Sequence, residues 1–398
     1  MESGGAHDRG RRVKIGVNGW RIHGQRTGVG RYLLNIVRHW TPEILAARGI
    51  EEVNFYTPKP IDRAQIPLPA HFRIRVLQSN LPMLAWENLK LAPASHDDVV
   101  FHPSFTRPLF ARGASVVTVH EANLAIFTQS FPLSARVFYL RLYRWCARHA
   151  TLALVHNEAG KADVIRQYGV DPARMRAIAL AADEIFHPGY PPDQIEAARQ
   201  RFVGGTHPFF LFVGKLSGRR NVPRLIQAFG EFRRATALHY KLLVIGLNSG
   251  DLDIAALTAA ANADGDVFHY PHISDADLCL LYGGAEAFIM PSSFETVSLP
   301  VMEAQASAAP VITIDTPGLR ETTAGHALLL KQTETTDIRD GMIRIVREPD
   351  LRQRLAAQGF EHSRTYSWQR TSMETLTALV DATSVSRTPV HSHSESAS

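Results

Sequence analysis

Cysteine is nearly absent from this chain. Cys146 and Cys279 are the only two in 398 residues. They are far apart and lack metal-ligand spacing, so neither a disulfide framework nor a zinc site is expected, and a reducing cytosol is the simpler setting. An excess of one charge is also missing: 43 Lys and Arg stand against 38 Asp and Glu, a net +5. That suits weak attraction to phosphates, acidic glycans or anionic lipid, and no concentrated basic stripe calls for nucleic acid. No apolar run approaches the roughly 18 residues of a membrane-spanning helix. The stretch from Met1 to Arg12 is polar and Gly/Arg-rich, without the apolar core of a secretory signal. A cytoplasmic protein is expected, with any membrane contact peripheral.

What the chain does have is 45% hydrophobic residues, enough to bury a sizeable core, and a length that suits two domains at roughly 100–200 residues each. Short apolar strand candidates at Val13–Val17, Val53–Tyr56, Val99–Phe101, Ser115–Val119 and Leu152–Val155 alternate with helical patterns such as 29–40. This is the pattern of a doubly wound parallel sheet. The Pro/Gly-rich stretch from His187 to Pro192 interrupts it where a linker is expected. Strands then recur at Phe209–Val213, Lys241–Ile245, Ala287–Met290 and Val311–Ile314, with helices at 222–235, 275–282 and 299–307. The reading is a flexible N-terminus over 1–12, a first domain over 13–187, a second over 188–365, a closing helix over 366–383 and a disordered Ser/Thr/His-rich tail over 384–398.

The most informative segment is PSSFETVSLPVMEA, from Pro291 to Ala304, which follows a buried strand candidate and opens a helix. Ser298 suits the N-cap and Pro300 the first turn, so the amides from Val297 to Leu299 would face a bound anion such as a diphosphate. Glu303 falls one turn inside the helix, where a carboxylate can accept from a ribose diol, and Glu295 lies in the preceding loop. Two Glu eight positions apart are ordinarily two solvated acids; the strand–turn–helix context changes that. In this context the stretch resembles the E-x7-E signature of glycosyltransferase family 4, the retaining group 1 enzymes of the GT-B fold. The family usually has Gly at the positions of Thr296 and Ser298 and near Ala308. A β-branched residue is strained wherever φ must be positive, which motivates an alternative: a catalytically weak sugar-nucleotide-binding protein of the same fold.

The segment from Phe212 to Asn221, FVGKLSGRRN, is similar to the family's strand–loop–helix that carries a basic pair. The resemblance implies that Lys215 and Arg220 neutralise the donor diphosphate, that Glu295 lies near the sugar, and that Gly214, Thr296, Val297, Ser298, Leu299 and Glu303 surround the donor. Cationic donors at a strand end suit that task. In the first half, TGVGRY from Thr27 to Tyr32 resembles the family's first loop. The resemblance implies that the amides of this loop, with Gly28 and Gly30 permitting close backbone approach, bind the donor diphosphate, while Leu33 occupies the place of the third Gly of a dinucleotide fingerprint. His120, at the end of a strand candidate and followed by Glu121, matches the family's active-site His; His102 and His156 read as structural. A helix from Leu133 to His149 is expected to turn Phe138, Leu142 and Trp145 to the core. Its opposite face bears Arg141, Arg144 and Arg148, read as solvated, with acceptor or membrane contact as the alternative.

The resemblance implies a GT-B architecture, two doubly wound Rossmann-like domains facing a central cleft. The first would bind the acceptor and the second the donor, and the segment after Tyr366 would pack back on the first. It implies transfer of a sugar, mannose favoured, from a nucleoside diphosphate sugar to a hydroxyl of a glycan or lipid-linked acceptor, with retention, in bacterial-type glycan or glycolipid assembly. No cofactor and no metal are expected, because cations and helix amides would neutralise the leaving group. Nucleic acid is not an expected partner; peripheral contact with an anionic inner membrane face is allowed.

Overall fold

The computed structural model describes residues 12–23, 28–127 and 132–385. The expectations for residues 1–11, for Thr27 and for 386–398 lie outside these. The described chain divides into two compact units.

The first unit takes the described residues up to His156, Gly160–Ile178, and the chain from Trp368. Its strands are β1 Val13–Asn18, β2 Ile50–Thr57, β3 Arg73–Val76, β4 Val99–His102, β5 Ala114–Thr118, β6 Leu152–Val155 and β7 Met175–Ala177. They form one sheet in the order β3-β2-β1-β4-β5-β6-β7, parallel throughout. β4, β5 and β6 are buried along their whole length, as central strands covered on both faces must be. The helix Trp368–Val385 belongs to this unit and runs two residues into the stretch read as tail. Ser372 Oγ donates to the Ile36 carbonyl at 2.7 Å, and Asp381 pairs with Arg176 at 2.7 Å.

The second unit comprises residues 157–159 and Ala179–Ser367. It starts ahead of the His187–Pro192 stretch that the sequence marks as a linker, because Phe186 is in its core and Ile185 and Tyr190 pack against it. Its strands are β8 Phe209–Val213, β9 Lys241–Ile245, β10 Val267–Tyr270, β11 Ala287–Met290, β12 Val311–Ile314 and β13 Leu328–Leu330. They are ordered β10-β9-β8-β11-β12-β13. Each sheet therefore reverses its winding once, between β1 and β4 and between β8 and β11. At such switch points the loops beyond the strand carboxyl ends open a ligand crevice.

The expected helix from Leu133 to His149 is present with those bounds, and what is corrected is the face it buries. A five-residue π turn, Ala135–Tyr139, precedes an α-helix over Leu140–His149. The wider turn rotates the following residues by about 100° relative to an α-helical reading. Phe138 is consequently 57% exposed, and Cys146 and Ala147 face the core instead of Leu142 and Trp145.

Candidate active site

At the switch point of the second sheet, the loop after β8 (214–221) is clasped to the loop after β11 (291–298). The Ser293 amide donates to the Arg219 carbonyl at 2.9 Å. Asn221 Nδ2 donates to the Pro291 carbonyl and to Ser293 Oγ, both at 2.8 Å. Within the clasp lies Glu295, 4% exposed. Its Oε1 receives Arg219 Nη1 at 2.7 Å, Ser292 Oγ at 2.9 Å and Arg220 Nε at 3.3 Å. A carboxylate can be buried only when paired, and two guanidinium groups around one carboxylate leave the cluster one positive charge in surplus. Gly214 makes room for it: a Cβ there would lie 1.6 Å from Arg220 Nη1. Lys215 stands exposed on the same loop and forms no ion pair among the described residues.

The helix Leu299–Ala306 begins where the sequence indicates, with Ser298 as N-cap residue and Pro300 in the first turn. Ser298 does not cap it through its side chain. Instead Ser298 Oγ and Thr296 Oγ1 are buried with no hydrogen-bond partner among the described residues. Unmet buried hydroxyls cost about 1–3 kcal/mol each. A diphosphate would accept from both, beside helix amides that favour an anion. Val297 and Leu299 flank them, half-buried. Glu303 is buried one turn in, and its Oε2 accepts from Tyr282 Oη at 3.2 Å.

Of the three positions where the family usually has Gly, only Ala308 is left-handed, with φ of 55°. Ser298 has φ of −125° and Thr296 is not among the positive-φ residues, so neither strains the loop. The glycine that matters is Gly318, at the start of the helix Pro317–Thr323. A Cβ there would lie 2.2 Å from the Glu295 carbonyl oxygen and 2.4 Å from that of Thr296. Asn157, also of the second unit, donates to the Thr296 carbonyl at 2.6 Å.

In the first unit His120 follows β5, with its ring edge-on to Tyr32 at 5.2 Å and to Phe105 at 5.5 Å. Its Nε2 lies 2.8 Å from the Pro103 carbonyl, which can only accept, so Nε2 carries the proton. Nδ1 then accepts from His156 Nε2 at 2.8 Å. Burial pushes His120 down to about 4, with the Pro103 carbonyl opposing and Arg21 adding to the shift. His156 is likewise held well below its usual value by burial and by His120. The pair is neutral at pH 7, and His156, structural by itself, sets the tautomer of His120. Both His120 nitrogens are thus engaged, and donation to a ligand requires giving up Pro103. His102 is buried without a partner for either ring nitrogen among the described residues.

Gly30 approaches the unit's own chain: a Cβ there would lie 2.8 Å from the Arg21 carbonyl oxygen, whereas Gly28 faces open space. Arg144 and Arg148 are not a free basic face. Their Nε atoms donate to the carbonyls of Gln167 at 3.0 Å and Tyr168 at 2.5 Å, at the C-terminus of the helix Glu158–Tyr168. Sequence reasoning missed Arg219, although it adjoins Arg220, and Glu87, which nothing in its local sequence marks. Glu87 is 1% exposed; its Oε1 accepts from Asn18 Nδ2 at 2.8 Å and Thr106 Oγ1 at 3.0 Å, and Oε2 has no partner among the described residues.

Two parallel Rossmann-like sheets, each doubly wound with a single switch point, are the GT-B fold. Residues 193–362, within the second unit, match the family described as glycosyl transferases group 1. The O-antigen chain mannosyltransferase B of Escherichia coli is 22% identical over 369 residues, which cover 88% of this chain and 95% of that protein. Sucrose-phosphate synthase from Thermosynechococcus elongatus superposes with a TM-score of 0.70 at 19% identity, over 92% of this chain and 98% of that one. Anabaena HepE in complex with UDP and glucose superposes with a TM-score of 0.71 at 14% identity, over 93% and 100%.

Proposed function

We propose that the protein is a retaining transferase of glycosyltransferase family 4. It moves a sugar, mannose favoured, from a nucleoside diphosphate sugar to a hydroxyl of a glycan or lipid-linked acceptor. The observation that carries this is the pair of unsatisfied hydroxyls, Thr296 and Ser298, at the N-terminus of Leu299–Ala306, beside the Arg219–Glu295–Arg220 cluster. Arg219, Arg220, Lys215 and the helix amides neutralise the departing diphosphate without a divalent cation. Glu295 keeps the guanidinium groups in place, and Glu303 lies one turn in, where a ribose diol would reach it. By the family resemblance, neutral His120 is the active-site histidine. The name of the Escherichia coli relative supports mannose and polysaccharide assembly, and the UDP and glucose bound by HepE support a nucleotide-sugar donor. We place the protein in the cytoplasm, in at most peripheral contact with the membrane. Among the described residues no helix is long and apolar enough to cross one.

The test is a panel of nucleotide sugars, GDP-mannose and UDP-glucose included, screened for thermal stabilisation and then for transfer. Arg219→Ala, Arg220→Ala and Lys215→Ala should each lower turnover roughly a hundredfold, about 3 kcal/mol of barrier, with the fold kept. Near-wild-type turnover in all three would refute the diphosphate role. An inverted product anomer would refute retention.

A further inference from the structure

The first unit contains a cavity of about 230 Å³ that no part of the donor reading uses. Phe105, Tyr139, Tyr143 and Tyr168 line it, with Glu121 and Asn123. Pockets for drug-sized ligands run from about 300 to 1,000 Å³, so this one is suited to a single ring. Its walls are ordered: Phe105 and Tyr143 stack at 4.8 Å and 21°, Tyr139 lies 5.8 Å from Tyr143, and Phe105 touches His120 at 5.5 Å. The cavity is therefore one aromatic ring away from His120.

The chemistry of the lining narrows the occupant. Asn123 is 5% exposed and Tyr168 fully buried, yet Asn123 Oδ1 and Tyr168 Oη have no hydrogen-bond partner among the described residues. An acyl or polyprenyl chain would leave both unmet, at a lasting cost. A phosphate would meet the Glu121 carboxylate with no Lys or Arg among the lining residues. A neutral pyranose fits: its C–H face lies on aromatic rings, and its hydroxyls satisfy buried polar atoms. We propose that this cavity holds the terminal neutral pyranose of the acceptor, a proposal that rests on reading the protein as a glycosyltransferase.

Methyl α-D-mannopyranoside is the probe, followed by saturation-transfer NMR on the full chain, with decanol as the apolar competitor. Tyr139 is 41% exposed, so Tyr139→Ala should fold; Asn123→Leu is the second variant. Pyranoside affinity is expected to fall roughly tenfold in each, with GDP and UDP affinity unchanged. Pyranoside affinity equal to that of the wild type in both folded variants, no binding by the wild type, or displacement by decanol would overturn the proposal. Pyranoside binding that depends on Tyr139, in a wild type that binds no nucleotide sugar, would sink the transferase reading and leave the cavity a sugar site.

Discussion

Glu87 shows how far burial moves a single group. Its carboxyl is pushed up to about 7 by desolvation, against the hydrogen bonds of Thr106 and Asn18 and the charge of Arg21. The folded state thus binds a proton that the unfolded chain, with its ordinary value of 4.5, has already released. Stability from this site is complete below pH 4.5 and is lost as pH rises through 7. Glu87→Gln should therefore gain on the order of 1–3 kcal/mol at pH 8 and nothing at pH 4, read from urea unfolding at each pH. The histidines behave oppositely. Burial first, and then Arg107, lowers His102 to about 3, and His120 is lowered to about 4, both from 6.5. Their unfolded forms take up protons first, so stability is intact above pH 6.5 and drains as pH falls towards 4. The urea midpoint should drop over that window, and NMR should show the His120 ring uncharged down to about pH 5. None of these shifts is legible in sequence, because each depends on what surrounds the group in three dimensions.

Among the elements, the helix Leu299–Ala306 ends on a strained residue. Ala308 takes φ of 55°, with its own amide on the Gln305 carbonyl at 3.0 Å and the Ala309 amide on Ala304 at 2.9 Å. That left-handed terminus is the one Gly favours. Left-handed Ala costs roughly 1–2 kcal/mol, and Gly loses about 0.4–1 kcal/mol through the unfolded chain. Ala308→Gly is therefore expected to stabilise by about 0.5–1 kcal/mol in thermal unfolding, with donor binding unaltered; a loss of stability would show that the site tolerates Ala without strain. The strands show a different limit. Central strands such as β6, β8, β9, β11 and β12 are legible to the residue because both faces are buried and their sequences are continuous apolar runs. Missing from the sequence reading are β3, β7, β10 and β13, the two edges of each sheet. RIRV in β3 and VFHY in β10 are no more than half-buried, so no apolar run announces them.

In the whole molecule, the last described helix completes a unit that the chain leaves long before. Trp368 is 3% exposed, and Leu376, Leu379 and Ala382 are fully buried in the first unit. Ending the chain at Ser367 removes that face and uncovers its counterpart, including the Ile36 carbonyl that Ser372 satisfies. The apolar area involved amounts to several kcal/mol. Calorimetry should show the transition of the first unit lowered or lost, while that of the second, which keeps all of 179–367, stays in place. Equal loss in both would show that the two units unfold as one.

By itself the sequence determined the class of fold, the winding of its central strands and the strand–turn–helix segment around Glu295 and Ser298, because these rest on periodicity, Gly and Pro placement, and local order. Only the tertiary structure decided which charges are paired. Arg219 and Arg220 both reach Glu295, Gly318 rather than a glycine at Thr296 shapes the loop, and His156 chooses the proton position on His120. Those partners lie 22 to 76 positions apart. Pairing across such separations depends on bringing the carboxyl ends of neighbouring strands of one sheet together, which no local pattern encodes.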